Sequence, residues 1–418
     1  MKVFLTKVDR DIEKNIQRDP LSQQVIWTYY ASQIYPNINS VTNDIKGYII
    51  TSLWKYIFKK YYYETFCAFQ ENEIRKIYVV YEMLVIYILV ESEQDISFIG
   101  KEKGKKIYDE YKGNPRIDVN GKEENQKRIL VRQEYLGYIG RYKTKVENIK
   151  TNFENEILKV AFGENLDLIA DKFYNILKVY NKKIEYKDCF FKEFKDIFLE
   201  GLKVDEKQKE RYLNILEIKD GNQNGLNYIF KCIYEKKELD AKDIVDEVLK
   251  NKKLDLNIKN KITNIRLIEN FLTALNNLFY EILSHKKIDD IIKNDEIKKM
   301  IKILQDAYEN IEKNDDTEQH KKKYIKEWYK EICENIIKSG NEINDEEIKN
   351  IIFSIIESHI RLQKNSNKKP WIEIDKENQE IKINHIVEHK YNERWEHDYY
   401  IYTIRNLVRS MEEWKENY

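Results

Sequence analysis

The chain has 418 residues, of which 12 are glycine and 4 are proline, where average usage would give roughly 29 and 21. This scarcity of turn-forming residues excludes collagen-like and Pro/Gly-rich disordered chains and argues against turn-rich β-sandwiches and propellers, while 42% hydrophobic residues are enough for a buried core. The 73 basic and 73 acidic residues balance, so no field of the whole protein favours nucleic acid or a membrane, and electrostatic binding must be local.

Helical periodicity and capping residues predict a succession of helices through most of the chain. Asp19 and Pro20 begin a helix that ends before Pro36. Aromatic helices follow near 43–68 and 72–90. Further helices are predicted near 143–162, 165–181, 186–200, 205–218, 225–237, 241–251, 257–285, 289–312, 320–338 and 345–362. No repeat of fixed length is present, so we predict a mainly α multi-helix bundle or array and not a regular solenoid.

One stretch of the chain, 91–140, differs from the rest in its turn-forming residues. Six of the twelve glycines and Pro115 lie there. Because glycine and proline punctuate regular structure, we predict a loop-rich insertion at this place. Loops carry binding residues more often than the elements that they connect, so a functional segment is expected here first.

The period of the apolar residues changes near the C-terminus. The segments Trp371–Asp375 and Glu380–Asn384 alternate apolar and polar residues and are separated by four residues. This pattern predicts a short β-hairpin. Asn384 is then expected to cap a last helix that reaches about Glu416.

These patterns divide the chain into four predicted regions. They are an N-terminal aromatic helical region (1–90), a Gly-rich, basic, loop-rich segment (91–145), a long-helix domain (146–365) and a hairpin with a terminal helix (366–418).

The strongest candidate for binding is the basic segment Lys127–Lys150, which carries seven basic residues against two acidic ones. Its glycines allow backbone amides to approach a phosphate, its basic side chains neutralise that phosphate, and a tyrosine can stack on a base. The alternative is a helix–loop–helix junction with a solvated charged face. The residues predicted to contact nucleic acid are Arg128, Arg132, Arg141, Tyr142, Lys143 and Lys145.

A five-residue pattern carries an alternative, enzymatic hypothesis. His385-Ile-Val-Glu388-His389 resembles the H-x-x-E-H motif of the inverted zinc peptidases. The resemblance implies that His385 and His389, one turn apart on a helix, bind zinc and that Glu388 activates a water molecule. Such peptidases take a third ligand, a glutamate, from further along the chain.

A second pattern points to magnesium. Asp375 with Glu380-Ile381-Lys382 resembles the D…(D/E)xK pattern of the PD-(D/E)XK nucleases. The resemblance implies that Asp375 and Glu380 hold Mg²⁺ and that Lys382 polarises the attacking water. Glu357 is the candidate for the additional carboxylate that this family takes from a helix.

Two further motifs have structural alternatives. Arg405-Asn406 resembles the Arg-Asn of the helical HEPN ribonucleases, but Ser410 stands where that family has histidine, so the resemblance implies an inactive relative. The run Lys59-Lys60-Tyr61-Tyr62-Tyr63 combines cations with rings that could stack on bases. The alternatives are an amphipathic terminal helix and a set of core and rim tyrosines.

The location of the protein follows from the cysteines and from the apolar runs. Cys67, Cys189, Cys232 and Cys333 form no CxxC pair, and scattered thiols favour a reducing compartment. The start of the chain has no signal-peptide core, and no apolar run is long enough to span a bilayer. We therefore expect a cytoplasmic protein without a membrane partner.

These observations favour one functional hypothesis over another. The first is a non-enzymatic helical subunit of a prokaryotic multi-protein assembly, in phage defence or a mobile element, that binds nucleic acid or a protein partner without a cofactor. A residue usage typical of codons rich in A and T motivates the prokaryotic source. The alternative is a zinc- or magnesium-dependent hydrolase or nuclease that uses the region 371–398.

Overall fold

In the part of the chain that the structure describes, the residues form α-helices and two small pairs of strands. The computed structural model describes residues 19–92, 99–117, 129, 137–138, 140–142, 146, 153–178, 184–219, 225–313, 325, 327–340, 343–375, 380–385 and 394–412. Its first helices are α1 (Gln24–Ile34), α2 (Ile45–Lys60), α3 (Glu71–Glu91), α4 (Lys101–Glu110), α5 (Phe153–Phe162), α6 (Leu166–Leu177), α7 (Lys192–Leu202) and α8 (Glu206–Ile215). The later helices are α9 (Leu226–Glu235), α10 (Ala241–Leu249), α11 (Leu256–Leu283), α12 (Ile288–Ile292), α13 (Asp295–Lys313), α14 (Lys330–Lys338), α15 (Asp345–Asn365) and α16 (Ile401–Glu412). The strands are β1 (Arg116–Ile117), β2 (Ile184–Glu185), β3 (Ile372–Asp375) and β4 (Glu380–Ile383).

The mainly helical fold and the C-terminal hairpin predicted from the sequence are confirmed. Strands β3 and β4 pair antiparallel, with Asp375 opposite Glu380 and Glu373 opposite Lys382. Directly opposite residues of an antiparallel pair share a face. The hairpin therefore has one polar, mostly exposed face, and its isoleucines are on the other, inward face.

The helices form two units, each with its own core. Unit 1 comprises Met1–Ile34 and Glu235–Tyr399, and unit 2 comprises Tyr35–Tyr234 and Tyr400–Tyr418. The structure thus groups the chain differently from the four predicted regions, because packing joins segments that are distant in the sequence. No helix among the described residues combines the length and the apolarity that crossing a membrane requires.

Unit 1 is built around the 28-residue helix α11, which packs along α13, α1 and α10. Asp255 begins this helix by accepting hydrogen bonds from the amides of Asn257 and Ile258, as an N-cap does. The second packed group consists of α15 with α14 and with the hairpin strand β3. A capping box between Asn344 and Glu347 fixes the start of α15.

Unit 2 is built around α2 and α3, which are largely buried and rich in aromatic residues. Helix α2 packs on α5, α6 and α16, and α3 packs on α4 and α6. The Trp54 ring lies within about 6 Å of Phe66, Tyr78 and Tyr81. Such ring contacts add to the free energy gained by burying the apolar surface.

Several elements differ from their predicted bounds, including α4, the pair α12 and α13, and the last helix, α16. Helix α4 lies inside the stretch 91–140, where its glycines had suggested only loops. The helix predicted at 289–312 is divided into α12 and α13, because Asn294 accepts from the amide of Glu296 and starts a new helix. The last helix begins at Ile401 and not after Asn384, whose side-chain amide instead donates to the carbonyl of Pro370.

Candidate functional site

The basic segment Lys127–Lys150 is anchored in unit 2 through its apolar and aromatic side chains. Ile129, Tyr138, Tyr142 and Val146 are all buried. The last three are four residues apart, and each is helical, which is the spacing of residues on one side of a helix. The segment is therefore attached to unit 2 at these buried positions.

At one end of the segment, Ile129 packs against the first turn of α4. A Cβ atom on Gly100 would lie 2.7 Å from Ile129, and one on Gly104 would lie 2.7 Å from Ile86. Only residues without a side chain allow so close an approach. Gly100, the N-cap of α4, therefore admits Ile129, which directly follows Arg128 in the sequence, and Gly104 admits Ile86.

This packing places four lysines beside the start of the basic segment. Lys101, Lys103, Lys105 and Lys106 all lie in the first six residues of α4. Within the part of the chain that the structure describes, Lys103, Lys105 and Lys106 have no ion-pair partner. Their charges remain available to an anion. Sequence reasoning missed these lysines because α4 was not predicted.

The buried position of Tyr142 contradicts its predicted role in stacking on a base. Its ring is fully buried and packs edge-on to Tyr48, with 4.9 Å between the ring centroids. Its hydroxyl oxygen accepts a hydrogen bond from the amide of Asp44 at 3.0 Å. Tyr142 is a structural residue because both its ring and its hydroxyl are engaged inside unit 2.

Replacing Gly47 with alanine is expected to destabilise unit 2 by about 1 to 3 kcal/mol, the usual cost of overpacking a core. The new Cβ atom would lie 2.2 Å from Cζ of Tyr142, which outweighs the better helix propensity of alanine. Chemical denaturation measures the change. In a Tyr142→Ala background the same substitution should be neutral or stabilising, because the obstructing ring is gone. An equal loss in both backgrounds would contradict the close contact.

The stretch around Gly137 and Gly140, whose backbone amides were predicted to approach a phosphate, is largely helical where the structure describes it. Residues 138 and 140–142 are helical, and the amide of Arg141 donates to the carbonyl of Gly137 at 3.3 Å. This amide therefore has a backbone partner already. The Arg141 side chain is half-exposed and stays a candidate contact. The predicted contacts Arg128, Arg132, Lys143 and Lys145 lie outside the described residues.

The hairpin brings part of the predicted magnesium site together. Asp375, Glu380 and Lys382 are exposed and share the polar face, where Lys382 Nζ is 4.0 Å from Glu373 Oε2. Glu357 lines a hollow together with Ile374. Ile374 is on the opposite face of the hairpin from Asp375.

The helix carboxylate named from the sequence is thus separated from the other candidate ligands. Across the described ranges, no group of three His, Cys, Asp or Glu side chains is arranged to hold a metal ion.

The predicted zinc motif does not begin on a helix. His385 is not helical; its amide donates to the carbonyl of Trp371 at 3.2 Å, and its ring lies edge-on to the Trp371 ring with centroids 4.8 Å apart. The expectation that His385 and His389 share a helix face is wrong for this reason. Glu388 and His389 lie outside the described residues.

The two remaining motifs have structural contacts in unit 2. Arg405 Nε donates to the carbonyl of Ile233, and Ser410 is buried. Tyr61 stacks on Tyr174 with 3.7 Å between ring centroids and donates to Asp171. Lys59 and Lys60 form ion pairs with carboxylates. Tyr63 is 88% exposed.

Sequence reasoning missed a buried polar cluster in unit 1 centred on Glu269 of α11. This carboxylate is fully buried and accepts hydrogen bonds from five groups. Oε2 accepts from Nδ1 of His397 at 2.9 Å and from the hydroxyl of Tyr399 at 2.8 Å. Oε1 accepts from the amides of Glu396 and His397 and from the hydroxyl of Thr273. The cluster fastens an irregular segment of chain to α11.

The environment of His397 favours its charged form. Burial lowers the pKa of this imidazole, but the hydrogen bond and the charge of Glu269 outweigh burial, so the pKa of His397 is raised. Trp27 stacks on the ring, with centroids 5.4 Å apart. Tyr399 has a positive φ of 47°, which strains a bulky residue. The hydrogen bond from Tyr399 to Glu269 helps to keep the backbone of Tyr399 in this strained conformation.

A second buried histidine, His359 of α15, has the opposite character. Its Nδ1–H donates to the carbonyl of Pro20 at 2.9 Å, and its Nε2 accepts from the amide of Trp371 at 2.8 Å. A carbonyl only accepts and an amide N–H only donates, so this imidazole is neutral. Burial lowers the pKa of His359 to about 4.

The chain matches no known protein family, and it shows no significant similarity to a curated protein or to a solved structure. The arrangement of its own residues therefore has to carry any functional proposal.

Proposed function

We propose that this protein is a non-enzymatic helical subunit that binds nucleic acid through a basic surface of unit 2, formed by α4 and the basic segment Lys127–Lys150. The observation that carries the proposal is the contact of Ile129 with Gly100 and Gly104. This contact joins two basic stretches that are separate in the sequence. We further propose a prokaryotic multi-protein assembly in the cytoplasm, in phage defence or a mobile element, as its setting.

The charges of this surface suit a phosphate backbone. Many lysines of the chain pair with carboxylates, as Lys195 does with Glu91 at 2.7 Å. By contrast, Lys103, Lys105 and Lys106 make no ion pair with any described residue. Unpaired lysines release counterions from nucleic acid without first breaking an internal ion pair. Phosphate contacts of this kind set affinity and do not select a sequence.

The hydrolase alternative has weaker support. Asp375, Glu380 and Lys382 do share one face of the hairpin. Magnesium sites of this type need carboxylates that converge on one ion. Glu357 lines a hollow together with two cations, Arg361 and Lys364, which would oppose the binding of a metal ion there. Nucleic-acid binding without catalysis is therefore the preferred proposal.

Neutralising Lys105 and Lys106 is expected to weaken binding to nucleic acid by about tenfold or more at low salt, because two phosphate contacts are lost. In Lys105→Gln with Lys106→Gln, the slope of log K against log salt should fall by about 1.4 to 1.8, the value for two contacts. Fluorescence anisotropy with a labelled oligonucleotide over a salt series measures both. Arg141→Gln should reduce the slope by about half as much.

The matched control is Lys252→Gln with Lys253→Gln. These two lysines are also adjacent and exposed, but they lie in unit 1. The control variant should bind like the wild type. Equal losses in the two double variants would show that binding follows the overall charge and not this surface. If Lys105→Gln with Lys106→Gln binds nucleic acid as tightly as the wild type, α4 is not part of the binding surface. If the protein binds a protein partner and no nucleic acid, the proposed ligand is wrong.

A further inference from the structure

We propose that a hollow between α15 and the hairpin of unit 1 binds a small anion that carries a phosphate or carboxylate group. The hollow has a volume of about 420 Å³, which is within the range of small-molecule sites. It lies outside the basic surface of unit 2 and is independent of the function proposed above. Its lining residues are Glu357, Ile360, Arg361, Lys364, Asn365 and Ile374.

Arg361 supplies the first part of the argument. Its Nη2 donates to the carbonyl of Trp328 at 2.9 Å, so the guanidinium group is held in one orientation. Its Nε is buried and, among the described residues, has no acceptor. Because this atom has no surface open to solvent, a ligand in the hollow would be attracted by the positive charge that the guanidinium group shares among its nitrogens and not by a bond to Nε.

Lys364 supplies the second part. It lies three residues after Arg361 on α15, which places both on one side of the helix. Its side chain is exposed, and it makes no ion pair with a described residue. Two cations therefore converge on the hollow from consecutive turns. Guanidinium and ammonium groups together are the usual means by which proteins hold phosphate and carboxylate oxygens.

The remaining lining residues define the ligand class further. Ile360 and Ile374 form an apolar wall, and the amide of Asn365 can donate or accept. Glu357 is acidic and can accept from a donor on the ligand. A site with two cations, one carboxylate and an apolar wall suits a small organic anion that has a polar donor at a distance from its charged group. The cations argue against a bare metal ion, which they would repel.

The test is a calorimetric titration of the full chain with inorganic phosphate and, separately, with acetate, both against sodium chloride at equal ionic strength. Saturable binding of phosphate alone would assign the site to phosphate compounds, and saturable binding of acetate to carboxylates. Lys364→Gln should weaken the Kd by about tenfold, as expected for the loss of one charge-assisted contact. Arg361→Gln removes the second positive charge and should weaken binding similarly.

Lys349→Gln is the matched control, because Lys349 is on the same helix but outside the hollow. It should leave the Kd unchanged. Lys364 is exposed, so its variant is expected to fold. Its result tests the proposal even if Arg361→Gln is destabilised by losing the hydrogen bond to Trp328. The proposal is overturned if neither anion saturates, or if Lys364→Gln binds as tightly as the wild type.

Discussion

Replacing Glu269 with glutamine is expected to lower the free energy of unfolding of unit 1 by about 3 to 5 kcal/mol, the usual cost of removing one partner of a buried ion pair. Glu269 is fully buried, and all five groups that contact its oxygens are donors. The amide NH₂ of glutamine is itself a donor, so one end of the new side chain would face donors without an acceptor. The imidazole of His397 would also lose the charge that raises its pKa.

The same helix offers a matched control for this substitution. Glu281 of α11 also pairs with a histidine, His285, at 3.3 Å, but both side chains are partly exposed. Glu281→Gln should therefore cost less than about 1 kcal/mol. Amide hydrogen exchange in α11 and α1 measures both variants, since each belongs to unit 1. Similar losses at Glu269 and Glu281 would show that the buried cluster adds nothing beyond an ordinary surface pair.

Lowering the pH from 6.5 to 4 is expected to destabilise unit 1 by about 3 kcal/mol through His359 alone. The pKa of His359 is lowered to about 4 in the folded protein, against about 6.5 in an unfolded chain. Between pH 6.5 and pH 4 the imidazole of His359 binds a proton in the unfolded chain but stays mostly neutral in the folded protein. Stability from this group is therefore complete above pH 6.5 and is lost as the pH falls towards 4.

His359→Gln tests the assignment, because glutamine can still donate to Pro20 and accept from Trp371 but does not titrate. The variant should lose this part of the pH dependence, whatever its stability at neutral pH. Urea unfolding at several pH values, with hydrogen exchange resolving the units, gives the measurement. Unit 2 contains none of the six histidines and is an internal reference. A pH dependence that is unchanged in the variant would refute the assignment.

His397 acts in a different pH window. Because its pKa is raised in the folded protein, its contribution is complete below about pH 6.5 and is lost only as the pH rises through the folded pKa. The contributions of His359 and His397 can therefore be separated by measuring stability at pH values below and above 6.5.

Local signals in the sequence were sufficient for most helices. Helices that start at a capping residue, such as α15 after Asn344, were placed within a few residues, because capping depends only on neighbouring positions. The start of the last helix was wrong: this helix begins at Ile401, and the capping residue type of Asn384 was not sufficient to start it there. Helix α4 was missed because Gly104 was taken as a turn residue, whereas it lies in a helix and admits Ile86.

The polar residues of the core were harder to predict, although a signal was present. Glu269 is four residues after Ile265 and three before Leu272, on the buried stripe of α11. His359 is placed in the same way between Ile355 and Leu362 on α15. A charged or titratable residue on an apolar stripe indicates a buried partner. The partner itself, such as His397 for Glu269, is 128 positions away and has no local signature.

The division into units also determines which unit can finish folding first during synthesis. Unit 2 begins at Tyr35 but takes its last helix, α16, from residues that follow all of unit 1. The buried amide of Ile45 donates to Ser410, 365 positions later in the chain. At about 5 to 20 residues per second, a ribosome needs roughly 20 to 70 s to make that stretch. Throughout this time the start of α2 lacks its partner, so a nascent chain exposes apolar surface that only the final helix covers.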